Sequence, residues 1–410
     1  MKLFKPGLIV TVLFSVVLSF TFASAQTPEK DWKWPSMLVA SAGGVTSPGY
    51  VVPVAWTPLH EKEAGVAWRV LGEPSTLTRI RWLINGKIDF WYTDLETGDD
   101  IIHGDKGLIT KDTGPFDLRV ALPGFLQSFG LLTFGKTGIK SIDDLRKRPG
   151  TTYAVPISSS GIVKFYEAFR AYLGMSEKEL VMVPFGNWGG MFRAMGQGKV
   201  DLMADDPAGM FVQRSSGSDR MGGLVFLDWP EDDPGNDRFT EVASTTSMGI
   251  CDIGVPEARG KRMIETQWVA LANKDQDAEV VYRLVKWHAD AYDKFKDKCA
   301  LCPRVTIDAF RKTLDMTYVP VHEGVIRYMK EIGKWTAADD ARQTYNLKIL
   351  DMYKKAYKEA IAKAEANGIK ISPQNEDWVD LWINYKKEIN IPRVKIMTDK
   401  EIAAALPKLR

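Results

Sequence analysis

Cysteine is scarce in this sequence: Cys251, Cys299 and Cys302 are the three found in 410 residues. They are too few for a disulfide-built scaffold, and an apolar share of 45% makes one unnecessary. Cys299 and Cys302 stand at C-x-x-C spacing, which suits a short local disulfide, redox chemistry or half of a zinc site. No second pair accompanies them, so structural zinc, which takes four ligands, is not expected. Histidine is almost as rare, and His60, His103, His288 and His322 are widely scattered. There is no Gly-x-Ser-x-Gly elbow, no phosphate-loop lysine motif and no His-Glu-x-x-His pair. No catalytic residue, metal or cofactor is therefore expected. An enzyme using Asp205 or Asp206 as general base is the weaker alternative, since no partner for such a base is visible. Charge of one sign is missing too: 54 basic and 52 acidic residues leave a net +2. No long-range field recommends nucleic acid or a lipid surface as partner.

Long apolar runs are absent beyond the first residues. Lys2 and Lys5 lead into an apolar run over 7–22, closed by Ala23-Ser24-Ala25. That is the order of a secretory leader, and the run is shorter than the roughly 20 residues that span a bilayer. Cleavage after Ala25 and a soluble periplasmic chain are expected. The length left over suggests two domains or two lobes.

What the sequence does have is a rhythm. Residues 37–41 read as a strand, 42–49 as a small-residue turn and 50–60 as a helix; then come strand 66–71, helix 77–85 and strand 87–92. This β-α-β-α-β order predicts an α/β fold with a mostly parallel sheet. The rhythm restarts at Gly138, with a capped helix at 141–145, strand 152–156, helix 162–173, strand 180–183, helix 191–196 and strand 199–204. Ile84-Asn85-Gly86-Lys87-Ile88-Asp89-Phe90 matches Met195-Gly196-Gln197-Gly198-Lys199-Val200-Asp201-Leu202. Each leaves a helix on a Gly turn and begins a strand through Lys, an aliphatic and Asp. The second half thus repeats the first half's plan. Residues 228–237 form an acidic loop, and 268–272 read as a strand returning to the first lobe, which makes a two-crossing hinge. Helices at 278–295 and 307–314 follow, then one long surface helix at 337–366 and a helical piece from 378. The expected layout is a leader at 1–25, lobe I at 26–136 with 262–335, lobe II at 137–261, and a C-terminal helical extension at 336–410.

In open parallel α/β sheets, ligands bind at the carboxyl edge of the strands, where helix starts present unpaired N–H groups. Four such turns occur, at 43–49, 73–78, 158–161 and 187–190. In two lobes the first pair would face the second, a geometry that suits an anion. The candidate ligand-binding residues are Gly43, Gly44, Thr76, Arg79, Ser159, Ser160, Gly161, Asn187, Trp188 and Asp206. Arg79 falls in the first turn of its helix, where the dipole opposes a cation, so a functional reason is favoured: a bidentate fork for a carboxylate. The serines either donate to a ligand or simply cap a helix. Asp205 and Asp206 end a strand at the same edge, and either cap the turn at Pro207 or meet an ammonium, a hydroxyl or Arg79. Tyr50, Trp91, Tyr92 and Phe185, like Trp188, are cleft walls or core.

Three stretches carry a resemblance to a known family: Ala42-Gly43-Gly44-Val45 with Pro53; Gly138-Ile139-Lys140-Ser141-Ile142-Asp143-Asp144-Leu145; and Val319-Pro320-Val321-His322-Glu323-Gly324-Val325-Ile326-Arg327-Tyr328. Across residues 37–333 the chain resembles the TAXI family of extracytoplasmic receptors serving TRAP (tripartite ATP-independent periplasmic) transporters. The resemblance implies a type II periplasmic-binding-protein fold and a receptor for an amino acid or organic acid such as glutamate or 2-oxoglutarate; a monomer in solution is expected. It also implies delivery to the membrane permease subunits of an ion-driven transporter. It places Thr76, Arg79, Ser159, Ser160 and Gly161 in the cleft loops. Two departures stand out. Thr46-Ser47-Pro48-Gly49 separates the Gly turn from Tyr50, where family members often carry Tyr at once, and Asp205-Asp206 replaces small or apolar residues. A receptor for an ABC importer or a sensor is the rival within the binding class.

Overall fold

A computed structural model describes residues 32–45, 47–105, 107–244 and 246–409; the expected leader at 1–25 lies outside them. Trp32 and Trp34 meet edge to face, with ring centroids 4.7 Å apart. Residues from Pro35 onward form one unit. Its first half contains β1 (Met37–Ala42), α1 (Pro48–Ala64), β2 (Ala67–Gly72), α2 (Thr76–Ile84), β3 (Phe90–Asp94) and α3 (Leu95–His103). Then come β4 (Leu118–Phe134), α4 (Ile142–Arg146), β5 (Thr151–Pro156), α5 (Ser160–Leu173), β6 (Leu180–Phe185), α6 (Trp188–Gly196) and β7 (Met203–Asp205). The middle of the chain continues with α7 (Met210–Ser215), β8 (Leu224–Phe226), α8 (Gly235–Val242), β9 (Ser247–Ile250) and β10 (Arg262–Asn273). Helices finish it: α9 (Ala278–Asp290), α10 (Tyr292–Phe295), α11 (Ile307–Met316), α12 (Glu323–Glu331), α13 (Ala337–Ala366), α14 (Glu376–Glu388) and α15 (Asp399–Ala405).

β1 lies between β2 and β3, parallel to both. β10 runs antiparallel to β3 and to β4. The second half holds the parallel pair β5 and β6, with Tyr153 of β5 bridging Leu202. The two lobes are joined by β4 and β10, 17 and 12 residues long. At about 3.3 Å per residue β4 reaches roughly 55 Å, enough to serve both. Its first part pairs with β10 as far as Phe129 opposite Ile264, and its last part pairs with β7 and β8. These are the two crossings of a type II periplasmic-binding-protein fold, as expected. The β4–β10 register shifts between Gln267 and Val269, where a Cβ on Gly124 would lie 2.0 Å from the Trp268 carbonyl oxygen. Only glycine lets the strands pass so closely at this bulge.

The repeated Lys-aliphatic-Asp turn has the same role in both halves. The Asp89 carboxylate accepts from Val39 N in β1 at 2.7 Å. Asp201 accepts from Thr152 N in β5 at 2.9 Å. Each aspartate satisfies a strand amide beside the strand it introduces.

Several elements differ from the reading of the sequence. The helix expected at 278–295 is two, α9 and α10, with Ala291 between them. The strand expected at 199–204 shortens to β7. β4 and α3 were not anticipated, and both turn out to shape the cleft. The long helix α13 buries Tyr345, Ile349, Tyr353, Tyr357 and Ala360 rather than lying loosely on the surface. The extension is fastened to the first half through α14: Trp378 Nε1 donates to the Ile109 carbonyl at 2.9 Å and Trp382 Nε1 to that of Gly104 at 2.7 Å. Cys299 and Cys302 form a disulfide, and Cys251 is free and buried. Among the described residues no helix is long and apolar enough to cross a membrane.

Candidate functional site

The cleft lies where the carboxyl edges of both halves meet the crossing strands. It encloses about 820 Å³, mouth included. Its walls come from the β1–α1 turn (Gly43, Gly44, Ser47, Pro48), α2 (Arg79), the β3–α3 junction (Thr93, Asp94, Thr97), the crossing strands (Gln127, Phe129, Thr266, Trp268), α5 (Ser159, Ile162, Phe165), α6 (Trp188, Phe192) and Asp205. The helix starts expected from the sequence are present. Ser75 caps α2, accepting from Thr78 N at 3.3 Å, and Asn187 caps α6, accepting from Gly190 N at 2.9 Å. Ser47 and Ser159, before α1 and α5, make no side-chain cap bond.

Arg79 dominates the electrostatics. The residue is 5% exposed, and its Nη2 donates to Thr76 Oγ1 at 3.3 Å, while its guanidinium sits 5.1 Å from the Trp91 ring centroid. Its Nε has no hydrogen-bond partner, and among the described residues no carboxylate is within ion-pairing distance. Burial pulls its pKa down to about 10, against the pull of Asp94 and Glu73. The guanidinium is therefore charged at neutral pH, desolvated and without a direct ion pair among the described residues, with Asp94 and Glu73 attracting it from farther off. Of the other wall residues, Ser47 Oγ, Thr266 Oγ1 and Asp205 Oδ2 are likewise buried without a hydrogen-bond partner. Buried polar atoms normally find partners, so an accumulation of orphans around one cleft marks a place for a guest.

The structure brings Gly43, Gly44, Arg79, Ser159 and Trp188 onto the cleft wall. Thr76, Ser160, Gly161, Asn187 and Asp206 are not among the lining residues. Thr76 holds Arg79 and reaches across to Ser158, its N donating to that carbonyl at 3.4 Å. Gly161 lies against the β3–α3 junction, where a Cβ would be 3.5 Å from Asp94 Oδ1. Asn187 is spent on its cap and exposed. Asp206 stands behind the wall: it accepts from Gln127 Nε2 at 2.9 Å, and Gln127 Oε1 accepts from Trp268 Nε1. Trp91 and Tyr92 are core, and Tyr50 and Phe185 are not in the cleft wall. The histidines are also internal: His60 Nδ1 accepts from Trp68, His103 Nε2 from Val394 N, and His322 Nδ1 from Gly324 N, while His288 Nδ1 meets the Leu284 carbonyl.

Sequence reading missed Asp94, Gln127, Phe129, Phe165, Phe192 and Trp268. Only Asp94 had a local signal: it precedes Thr97 by three and caps α3, accepting from Thr97 N at 2.8 Å and Thr97 Oγ1 at 3.2 Å. The others are brought in by strands and helices that meet only in the folded chain.

Burial raises the Asp205 carboxyl well above the ordinary range, and Asp206 to about 6. Asp206 is therefore neutral below that pH and gains a buried negative charge above it. An anionic guest should bind roughly threefold to tenfold more weakly at pH 7.5 than at pH 5, an order-of-magnitude Coulomb expectation at this depth. Titration calorimetry across that range measures this, and Asp206→Asn should flatten the profile.

Residues 38–333 match the model of the NMT1-like family. No curated protein matches the chain. Among solved structures, an adipate-bound protein of R. palustris is 17% identical, covering 74% of this chain and 98% of its own, with a TM-score of 0.45. MatC from Rhodopseudomonas palustris with bound malate is 15% identical, covering 72% and 99%, with a TM-score of 0.45. A structure described as a periplasmic transporter is 14% identical, covering 82% and 98%, with a TM-score of 0.44. The family match takes in the whole cleft and both crossing strands, and the chain belongs to the NMT1-like family.

Proposed function

We propose that this protein is an extracytoplasmic solute receptor of a TRAP-type secondary transporter. On this reading it captures a small organic anion (an amino acid, a 2-oxo acid or a dicarboxylate) between its lobes and delivers it to the membrane permease. One observation carries the reading: Arg79 is a buried cation on the cleft wall with an unpartnered Nε and no direct ion pair among the described residues. A charge held this way is costly unless a partner arrives, and a carboxylate matches its fork. The TAXI resemblance supports the transporter class, and with it a leader cleaved after Ala25, periplasmic location and a monomer. The lobes take the boundaries expected above: 26–136 with 262–335, and 137–261, with 336–410 as an extension. Closure of the lobes on the ligand forms the state the permease recognises. A receptor for an ABC importer or a sensor differs only in the membrane partner that the liganded form binds. Against an enzyme, no histidine, lysine or cysteine among the described residues lines the cleft to work with Asp205, whose carboxyl burial holds well above the ordinary range.

Thermal-shift screening with mono- and dicarboxylates, amino acids and 2-oxo acids tests the proposal. A ligand at a hundredfold over its Kd should add about 2.7 kcal/mol of stability. A purified chain that responds to none of these classes is not such a receptor.

A further inference from the structure

We infer that the guest carries a single carboxylate and an apolar, ring-bearing body, which narrows the anion classes above to aromatic monocarboxylates. This rests on the receptor reading and goes beyond it. Arg79 is the one basic side chain on the wall among the described residues, whereas two carboxyl groups, Asp94 and Asp205, also line it. A second carboxylate on the guest would be desolvated with no second cation to meet it and with the Asp94 carboxyl on the same wall. Six large apolar side chains share the rest of the wall with neutral polar ones such as Ser47, Gln127 and Thr266: Phe129, Ile162, Phe165, Trp188, Phe192 and Trp268.

The aromatic ones brace one another or stack on rings behind the wall. Trp268 stacks on Phe125 with ring centroids 5.3 Å apart and planes at 11°, and its indole N–H is fixed by Gln127. It also lies flat over Gly49, where a Cβ would come within 2.3 Å of its ring. Phe192 stacks on Phe211 at 4.8 Å and 3°, and Trp188 lies 5.7 Å from Phe192. Phe129 and Phe165 meet at 5.7 Å. A preformed aromatic slot of this kind takes up a flat apolar group without first paying to order its own walls. The charged pole and the slot belong to one cavity, so one molecule can use both.

Titration calorimetry with 3-phenylpropionate, glutarate, 2-oxoglutarate and L-glutamate tests the inference. The expected result is a Kd for 3-phenylpropionate about 30-fold or more below that of each of the other three, with a negative heat-capacity change from apolar burial. Trp188 and Phe192 are only half-buried, so Trp188→Ala and Phe192→Ala should fold. Each should weaken 3-phenylpropionate about tenfold and shrink that heat-capacity change. If any of the three polar acids binds as tightly as 3-phenylpropionate, the inference is overturned and the receptor reading stands. If all four fail to bind, the inference is overturned, and the wider thermal-shift screen decides the receptor reading. If 3-phenylpropionate binds but neither variant weakens it, the aromatic slot is not where the body sits and the inference is overturned.

Discussion

Arg79→Met is expected to make the ligand-free protein more stable while lowering its affinity for a carboxylate about 100-fold. The two effects share a cause. A guanidinium that is 5% exposed, with Nε unpaired and no direct ion pair among the described residues, is a charge removed from water with little compensation: one bond to Thr76, the Trp91 ring, and Asp94 and Glu73 at longer range. Replacing a buried ion by an apolar side chain of similar length is often neutral or stabilising by about 1–4 kcal/mol. The same cation, once paired with a ligand carboxylate in a desolvated cleft, contributes about 2–5 kcal/mol, and a hundredfold loss lies inside that range. Arg79→Lys should retain part of the affinity, because it keeps the charge and loses the fork. Urea unfolding without ligand and calorimetry with it give the two readouts. A purely structural arginine predicts the opposite pattern: an unfolding midpoint that falls, with any ligand response intact. That outcome would falsify the assignment of Arg79 to ligand capture.

How much of this was legible in the sequence depended on how local each signal was. The four helix starts were readable because capping residues and Gly turns act over three or four positions, and they placed Arg79 and Ser159 at the cleft before any coordinates. The repeated Lys-aliphatic-Asp turn was equally local, although its physical reason, a carboxylate on the neighbouring strand's amide, appears only when Asp89 reaches Val39. β4 was not legible. Pro123, Gly124 and Gly130 interrupt its apolar run and read as breakers, yet they fit a bulged crossing strand: Pro123 pairs with Val269 at a register shift, and Gly130 lies under Phe226. α3 was hidden for another reason. Gly98, Asp99 and Asp100 sit mid-helix, where local propensity argues against them. Gly98 is required by packing, since a Cβ there would come within 2.9 Å of Val319 Cγ2, and the two aspartates are held by a lysine 64 and 65 residues away. Asp94, which caps this helix, went unseen together with it.

That lysine sets up the second large effect. Lys164 Nζ, on α5 in the second half, lies 2.8 Å from Glu96, 3.3 Å from Asp99, 2.6 Å from Asp100 and 3.2 Å from Asp105, all on or just after α3 in the first. Glu96, Asp99 and Asp100 are almost fully buried, and Asp105 is partly exposed. His103 Nδ1 adds a contact to Asp99 at 3.0 Å, and Lys386 of α14 donates to the His103 carbonyl at 3.0 Å. Burial opposes charge on Lys164, but the four carboxylates outweigh it and hold the ammonium well above its usual range. Its contribution to stability is therefore complete at neutral pH and is lost only when the pH climbs through that raised value. Lys164→Met leaves the carboxylates buried without their cation and is expected to cost about 3–5 kcal/mol at pH 7, read as a fall in the urea midpoint. The pH dependence separates this from a simple packing defect. In the parent, burial works against the charge on Asp99 and Asp105, but the neighbouring cations leave both carboxyls below the ordinary range, so the stability they supply is lost as the pH falls below about 4, whereas burial and the carboxyls around it hold Asp100 well above that range. In the variant the same groups, now mutually repelling, take up protons more readily, and its folded state gains relative stability as the pH falls. The gap between parent and variant should therefore narrow from pH 7 to pH 4. A gap that stays constant over that range would mean that Lys164 acts through its methylene packing, and that α3 is fixed by the extension and by Tyr318, whose hydroxyl accepts from Asp99 N at 3.0 Å.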